Sequence, residues 1–268
     1  MGLLAIKLTL APAFVVGASL AARRFGARIG GLIAGLPVVA GPILLVYALA
    51  HGGPFAAGAA AGTLLGLVSL IAFVVVYAHL AGRASWPTSM LAGWLVFAAA
   101  TAAFSAFDVS AGEALGIAAL GLLGGLALLP RPDAEPRAHD DPPGWDLPVR
   151  AGCAIALVLT LTAVAGWLGP QLSGLLAPFP IIATVLATFT HAQRGTDELR
   201  RLLRGMVSGF GAFALFCFTL AVALKPLGTG PAFALASALA LSTQAATYLL
   251  VRGEPVAATI PEIRPSRL

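Results

Sequence analysis

The stretch Gly31-Leu32-Ile33-Ala34-Gly35-Leu36-Pro37-Val38-Val39-Ala40 recurs as Gly174-Leu175-Leu176-Ala177-Pro178-Phe179-Pro180-Ile181-Ile182-Ala183, an offset of 143 residues that carries Pro37 onto Pro180. The same offset lays Lys7 on Arg150 and Gly26 on Gly169. The correspondence therefore runs from the first charge of each half into a proline-interrupted apolar segment. A duplicated apolar unit with a broken helix in each copy is the pattern of membrane proteins whose site lies between the repeats.

The composition agrees with that setting. The chain is 59% hydrophobic and 10% charged, with a mean hydropathy of +0.94, which leaves too little polar surface for a water-soluble domain of this length. Its apolar runs are about 20 residues long, and in hydrocarbon every backbone N–H and C=O must be bonded within the segment, so the runs predict helices and not barrel strands. The net charge of +5 is mostly arginine between the runs; it reads as topology, and nucleic acid is not an expected partner. Cys153 and Cys217 lie inside runs without a CxxC spacing, so neither a disulfide nor a metal site is expected. The first run has no cleavage pattern before Arg23-Arg24 and is read as a retained span.

The runs predict an all-α, polytopic membrane bundle of about nine helices, at 3–22, 30–50, 55–81, 87–107, 112–130, 149–168, 172–192, 200–224 and 231–251. A charged, proline-rich stretch centred on Pro136 separates the halves. The organisation expected is a first four-helix repeat (1–110), a linker helix (111–130), a cytoplasmic linker (131–147), a second four-helix repeat (148–252) and a cytoplasmic tail (253–268). Arg23, Arg24 and Arg28, then Arg83, then Arg131 and Arg137, then Arg194, Arg200, Arg201 and Arg204, and finally Arg252, Arg264 and Arg267 all fall on one side if the N-terminus is outside. The positive-inside rule then gives N-out, C-in. Four spans, one extra span and four more make the two repeats inverted. Gly169-Pro170-Gln171 becomes an uncharged outer turn facing the arginine-rich loop of the first repeat.

Residues Gly174 to Pro180, followed by Thr190-His191-Ala192-Gln193-Arg194-Gly195-Thr196-Asp197-Glu198-Leu199-Arg200, resemble the GlpM-like inner-membrane family. The resemblance covers about 149–225 and, more faintly, 3–50; Arg150 stands at the family's lysine, and Asp197 and Glu198 stand near its glutamate. It implies an inner-membrane protein linked in some bacteria to alginate exopolysaccharide production, with no molecular activity to carry over. It also implies ancestry from small dual-topology proteins that pair antiparallel.

Chemistry is expected at the breaks. Pro37 and Pro42 in the second span, and Pro178 and Pro180 in the seventh, each remove a donor and free a carbonyl at about mid-depth. Gly41 and Thr184 lie beside them and Gln244 lies deep in the last span, so these complete a substrate-binding set with Lys7 and Arg150, cations at the starts of equivalent spans. His51 and His191, at the ends of matching spans, are candidate proton carriers. Ordinary proline kinks, snorkelling cations and interfacial histidines account for the same residues without a site. Gly58, Gly62 and Gly66 form a small-xxx-small row expected to pack helices.

No H-E-x-x-H, G-x-S-x-G or P-loop and no paired intramembrane carboxylates are present, so neither an enzyme nor a cofactor is expected. No Asp or Glu lies well inside a predicted span, which disfavours a proton-coupled exporter of cations. The expectation is a secondary transporter or flippase for an anionic or amphiphilic small molecule, such as a lipid or isoprenoid phosphate or an organic anion. The alternatives are a passive channel at the repeat interface and a non-transporting scaffold for exopolysaccharide assembly. The partners expected are the lipid bilayer and a small-molecule or lipid substrate, and the arrangement admits a homodimer.

Overall fold

The computed structural model describes residues 2–107, 109–133, 143–175 and 179–253, with the side chains of 2–8, 10, 161–175 and 252–253 outside that description. The described residues form ten helices and no strand: α1 (Gly2–Phe25), α2 (Ala27–Ala34), α3 (Ala40–His51), α4 (Gly53–Leu80), α5 (Trp86–Phe104), α6 (Ala111–Leu128), α7 (Asp146–Leu175), α8 (Ile181–Arg194), α9 (Thr196–Leu227) and α10 (Thr229–Gly253). Five of them, α4, α5, α6, α9 and α10, are long and apolar enough to cross a membrane. The molecule is thus an all-helical bundle of membrane-spanning character.

Burial separates an inner pair from an outer ring. Two-thirds of the apolar window of α4 and of α9 is buried (67% each), against 17% in α6 and 11% in α10. The outer helices present leucines outward: Leu95 is 71% exposed, Leu120 72% and Leu250 74%. Such a belt would cost free energy in water and none against acyl chains, whose apolarity matches it.

α4 and α9 run antiparallel. A Cβ at Gly53, where α4 starts, would lie 3.2 Å from Leu224 O near the end of α9. At the other end Thr196 donates to Ala81 O at 3.2 Å. α1 and α7 are antiparallel as well, because Arg23 near the end of α1 bonds Asp146, the first residue of α7, at 2.6 Å. Gly52 and Gly195 begin α4 and α9 from the left-handed side of backbone space, at φ 86° and 81°. They stand at the offset that separates Pro37 from Pro180.

Two backbones touch where α2 crosses α9. A Cβ on Gly31 would sit 1.9 Å from Leu202 O, and one on Gly205 1.9 Å from Arg28 O. Gly35 and Gly209 meet one turn further on. Small-xxx-small packing therefore lies here; on the Gly58 row Gly58 and Gly62 have open space beside them, while Gly66 is buried. The spacing is the same in both rows; what differs is which face meets another helix.

Three expectations about boundaries change. The second span, 30–50, is two helices, because Pro37 cannot continue the bonding of α2 and biases Leu36 away from helical geometry. The expected outer turn at Gly169-Pro170-Gln171 lies within α7, which continues to Leu175; membrane helices accommodate proline where neighbours re-satisfy the freed groups. The seventh span, 172–192, is correspondingly divided between the end of α7 and α8.

Candidate functional site

The two proline breaks face one cavity. About 40 Å³ in volume, it is lined by Pro37 and Ala40 from the first break, Phe179 to Ala183 from the second, and Met206, Phe210 and Phe213 of α9. Each break closes with the same backbone bond: Gly41 N–H donates to Pro37 O at 2.8 Å, and Thr184 N–H to Pro180 O at 2.7 Å. Neither α3 nor α8 has a side-chain cap at its start, so both helices bring an uncapped N-terminus to the cavity wall. Such ends carry partial positive charge, although the Gly41 and Ile181 N–H groups are already bonded to Pro37 O and Phe179 O.

Pro37 and Pro180 line this cavity, while Gly41 is buried against Phe216 of α9. Pro42 sits in the first turn of α3, where a helix has no use for its N–H. Gln244 reaches in from α10 and donates to Leu32 O in α2. It thereby caps a carbonyl near the end of a short helix, while its own Oε1 is buried without a partner. Pro178 and the side chain of Lys7 lie outside the described residues.

Thr184 lies between this cavity and a second one. Its hydroxyl accepts from the Trp94 indole N–H at 3.0 Å. Trp94 also packs on Phe179, with ring centroids 5.8 Å apart, and Phe97 meets the same ring at 5.5 Å. The Trp94–Phe179 pair therefore forms a wall, with the small central cavity on one side and a larger lateral pocket of about 540 Å³ on the other. Replacing Thr184 by Val leaves the indole N–H without its acceptor, and a loss of roughly 1–3 kcal/mol in thermal unfolding is the expected result.

Arg150 is buried and already paired. Its Nε donates to both oxygens of Asp146 at 3.0 and 2.9 Å, Gln193 donates to Asp146 at 2.8 Å, and Arg23 completes the set. The Arg150 guanidinium also lies over the Phe189 ring, 4.8 Å from its centroid. Asp146 is fully buried and belongs to no expected site; it stands in the segment read as a linker, ahead of the span predicted at 149–168. Burial pushes its carboxyl up, but hydrogen bonds from Gln193 and Arg150, the Arg150 charge and the bond from Arg23 outweigh that and hold it below the ordinary range. The indicator available in sequence was its four-residue spacing to Arg150 on one helix face.

Among the described residues, Arg200, Arg201 and Arg204 of α9 gather at the same end of the bundle. Arg200 bonds Asp133 at 2.6 Å, Arg204 donates to Leu129 O at 2.9 Å, and Arg201 pairs with Glu198 at 2.8 Å. His191 packs edge-on to Tyr77, 5.9 Å between ring centroids, with its Nδ1 buried and unpartnered. His51 is at the opposite end, exposed and in tilted contact with the Phe55 ring, 4.8 Å between centroids. The structure thus brings Pro37, Pro180 and Thr184 to adjoining cavities, sets Arg150 behind Gln193 and Phe189 of the lateral pocket's lining, and leaves His51 and His191 apart. No family model, no curated protein and no solved structure matches the chain.

Proposed function

We propose that the protein is a secondary transporter or flippase of the bacterial inner membrane that works by moving one inverted repeat against the other, with N-out, C-in topology and a nine-span 4+1+4 layout. The observation that carries this reading is the pairing of two proline breaks, at one offset in the chain, across a single cavity. The antiparallel courses of α4 and α9 and of α1 and α7, pairs that stand at the same offset, support inversion. Broken helices that present their N-termini at a repeat interface suit a substrate with an anionic or polar head. The apolar cavity lining suits an amphiphile better than a small hydrophilic anion. Arg150, paired with Asp146 where α1, α7 and α8 meet, adds fixed positive charge beside the bundle's charged end. The resemblance to the GlpM-like family is compatible with a role in cell-envelope polysaccharide production.

Ala40 is buried beside the cavity, so a cysteine there tests the mechanism in a background where Cys153 and Cys217 have been replaced. Membrane-impermeant maleimide applied to right-side-out and to inverted vesicles is expected to label Ala40→Cys from each side, with labelling from one side suppressed when the protein is trapped open to the other. Labelling from neither side would overturn alternating access, and labelling from both at once with ionic conductance would indicate a channel.

A further inference from the structure

The lateral pocket lies between α5, α7 and α8, away from the proline breaks, and three of the four tryptophans of the chain, Trp86, Trp94 and Trp145, line it. Its volume falls within the range of small-molecule sites, roughly 300–1,000 Å³. Met90, Leu157 and Phe189 make the body of the wall apolar. Trp86 and Trp145, 41% and 56% exposed, mark the end nearest the charged face of the bundle, where indoles are placed at membrane–water boundaries.

The polar features gather at that same end. Gln193 lines the pocket, and its amide is fixed by Asp146 and Arg150. Phe189, also in the lining, carries the Arg150 guanidinium on its ring. Arg23, Arg150 and Arg194 share a small neighbouring cavity with the buried Ser19 and Thr190. Among the described residues Asp146 is the one carboxylate bonded in this group of three arginines, and it is fully buried, so the described charges beside the pocket mouth sum to positive. Deeper in, the pocket ends at Thr184 and Trp94, on the wall shared with the central cavity.

We propose that this pocket is a lateral entry site for an anionic single-chain amphiphile, which enters from the bilayer with its head toward Gln193 and the arginines and its chain along α5 and α7, and passes to the central cavity when the Trp94–Phe179 wall opens. The inference rests on the transport reading and names its substrate class. The wall is closed here, which matches an occluded central cavity of only about 40 Å³. Charge complementarity selects the anionic head, and the apolar body selects a chain and not a second protein.

Because the tryptophans line the pocket, their fluorescence reports occupancy directly. Full-length protein in lipid nanodiscs is titrated with a dibrominated stearate, whose bromines quench indole emission, and with its neutral methyl ester. Saturable quenching by the stearate is expected, with weaker quenching by the ester. Ala156 lines the pocket on α7 and is exposed to its space, so Ala156→Phe is expected to weaken the apparent affinity by about tenfold or more by filling that space. Ala98→Phe, on exposed α5 surface and outside the pocket lining, controls for the bulky side chain and is expected to leave the titration unchanged. Non-saturating quenching that is the same for both probes and insensitive to Ala156→Phe would mean that bulk lipid fills the groove and would overturn the proposal. The assay measures binding alone, so saturable binding without alternating labelling of Ala40→Cys sinks the transport reading, and the converse sinks this inference only.

Discussion

Gly205→Ala is expected to yield little or no folded protein, and Gly31→Ala the same. The added methyl carbon would lie 1.9 Å from the carbonyl oxygen of Arg28 in the first case and of Leu202 in the second. Both obstacles are backbone, so no rotamer change relieves them, and α2 must separate from α9 along its length. Overpacking of flexible cores costs about 1–3 kcal/mol; a rigid backbone contact exceeds that range. The separation would also remove the Leu32 carbonyl from Gln244, whose amide caps it. Gly58→Ala, with open space beside its Cα, is the control and is expected to be neutral. Fluorescence-detected size exclusion of the three variants in mild detergent decides the matter. A monodisperse Gly205→Ala peak at wild-type yield would show that α2 and α9 are not in backbone contact.

Asp146→Asn carries the second large effect. The carboxylate is fully buried and satisfies Arg23 from α1, Arg150 from its own helix and Gln193 from α8. Removing its charge leaves two arginines facing one another with no counter-ion between them. Breaking a buried ion pair from one side costs roughly 3–5 kcal/mol. The pH dependence has a defined sign. The Asp146 carboxyl titrates below its ordinary value of 3.8 in the folded chain, so the network contributes fully above that value and its contribution is lost as pH falls through the lower folded-state value. Thermal unfolding followed against pH should therefore show wild-type protein losing stability only below about pH 4. Asp146→Asn should begin lower and lack this acid-sensitive component. Equal unfolding temperatures for the two proteins at neutral pH would contradict the pairing.

Much of the fold was legible because membrane helices announce themselves by apolar length. The starts of α4, α5, α6 and α10 fall within two residues of the predicted runs. Pro37 and Pro180 were legible too, since proline deletes a donor wherever it stands, and the repeat showed that the two breaks correspond. What the chain could not disclose was partnership across long separations. Asp146 reads as linker because it follows prolines and precedes the apolar run, and its burial depends on Arg23 and Gln193 (123 and 47 residues away). The lateral pocket is assembled from Trp86, Trp94 and Trp145 with Gln193, residues that no local period links. The glycine rows illustrate the same limit. Gly58-xxx-Gly62 and Gly205-xxx-Gly209 have identical spacing, and only the second meets another backbone. Gly169-Pro170 misled for the opposite reason: a turn signal in water is accommodated within the long helix α7.

Inversion of the two repeats is the claim on which the rest depends, and one labelling experiment addresses it. Gly82 and Lys225 occupy equivalent places after α4 and near the end of α9, and both are exposed, as is His51. With Cys153 and Cys217 replaced, single cysteines at Gly82, Lys225 and His51 are challenged with an impermeant maleimide in intact cells and in inverted membrane vesicles. The account predicts that Lys225→Cys and His51→Cys label only in cells and Gly82→Cys only in inverted vesicles. Labelling of Gly82→Cys and Lys225→Cys from the same side would make the repeats parallel and would contradict it.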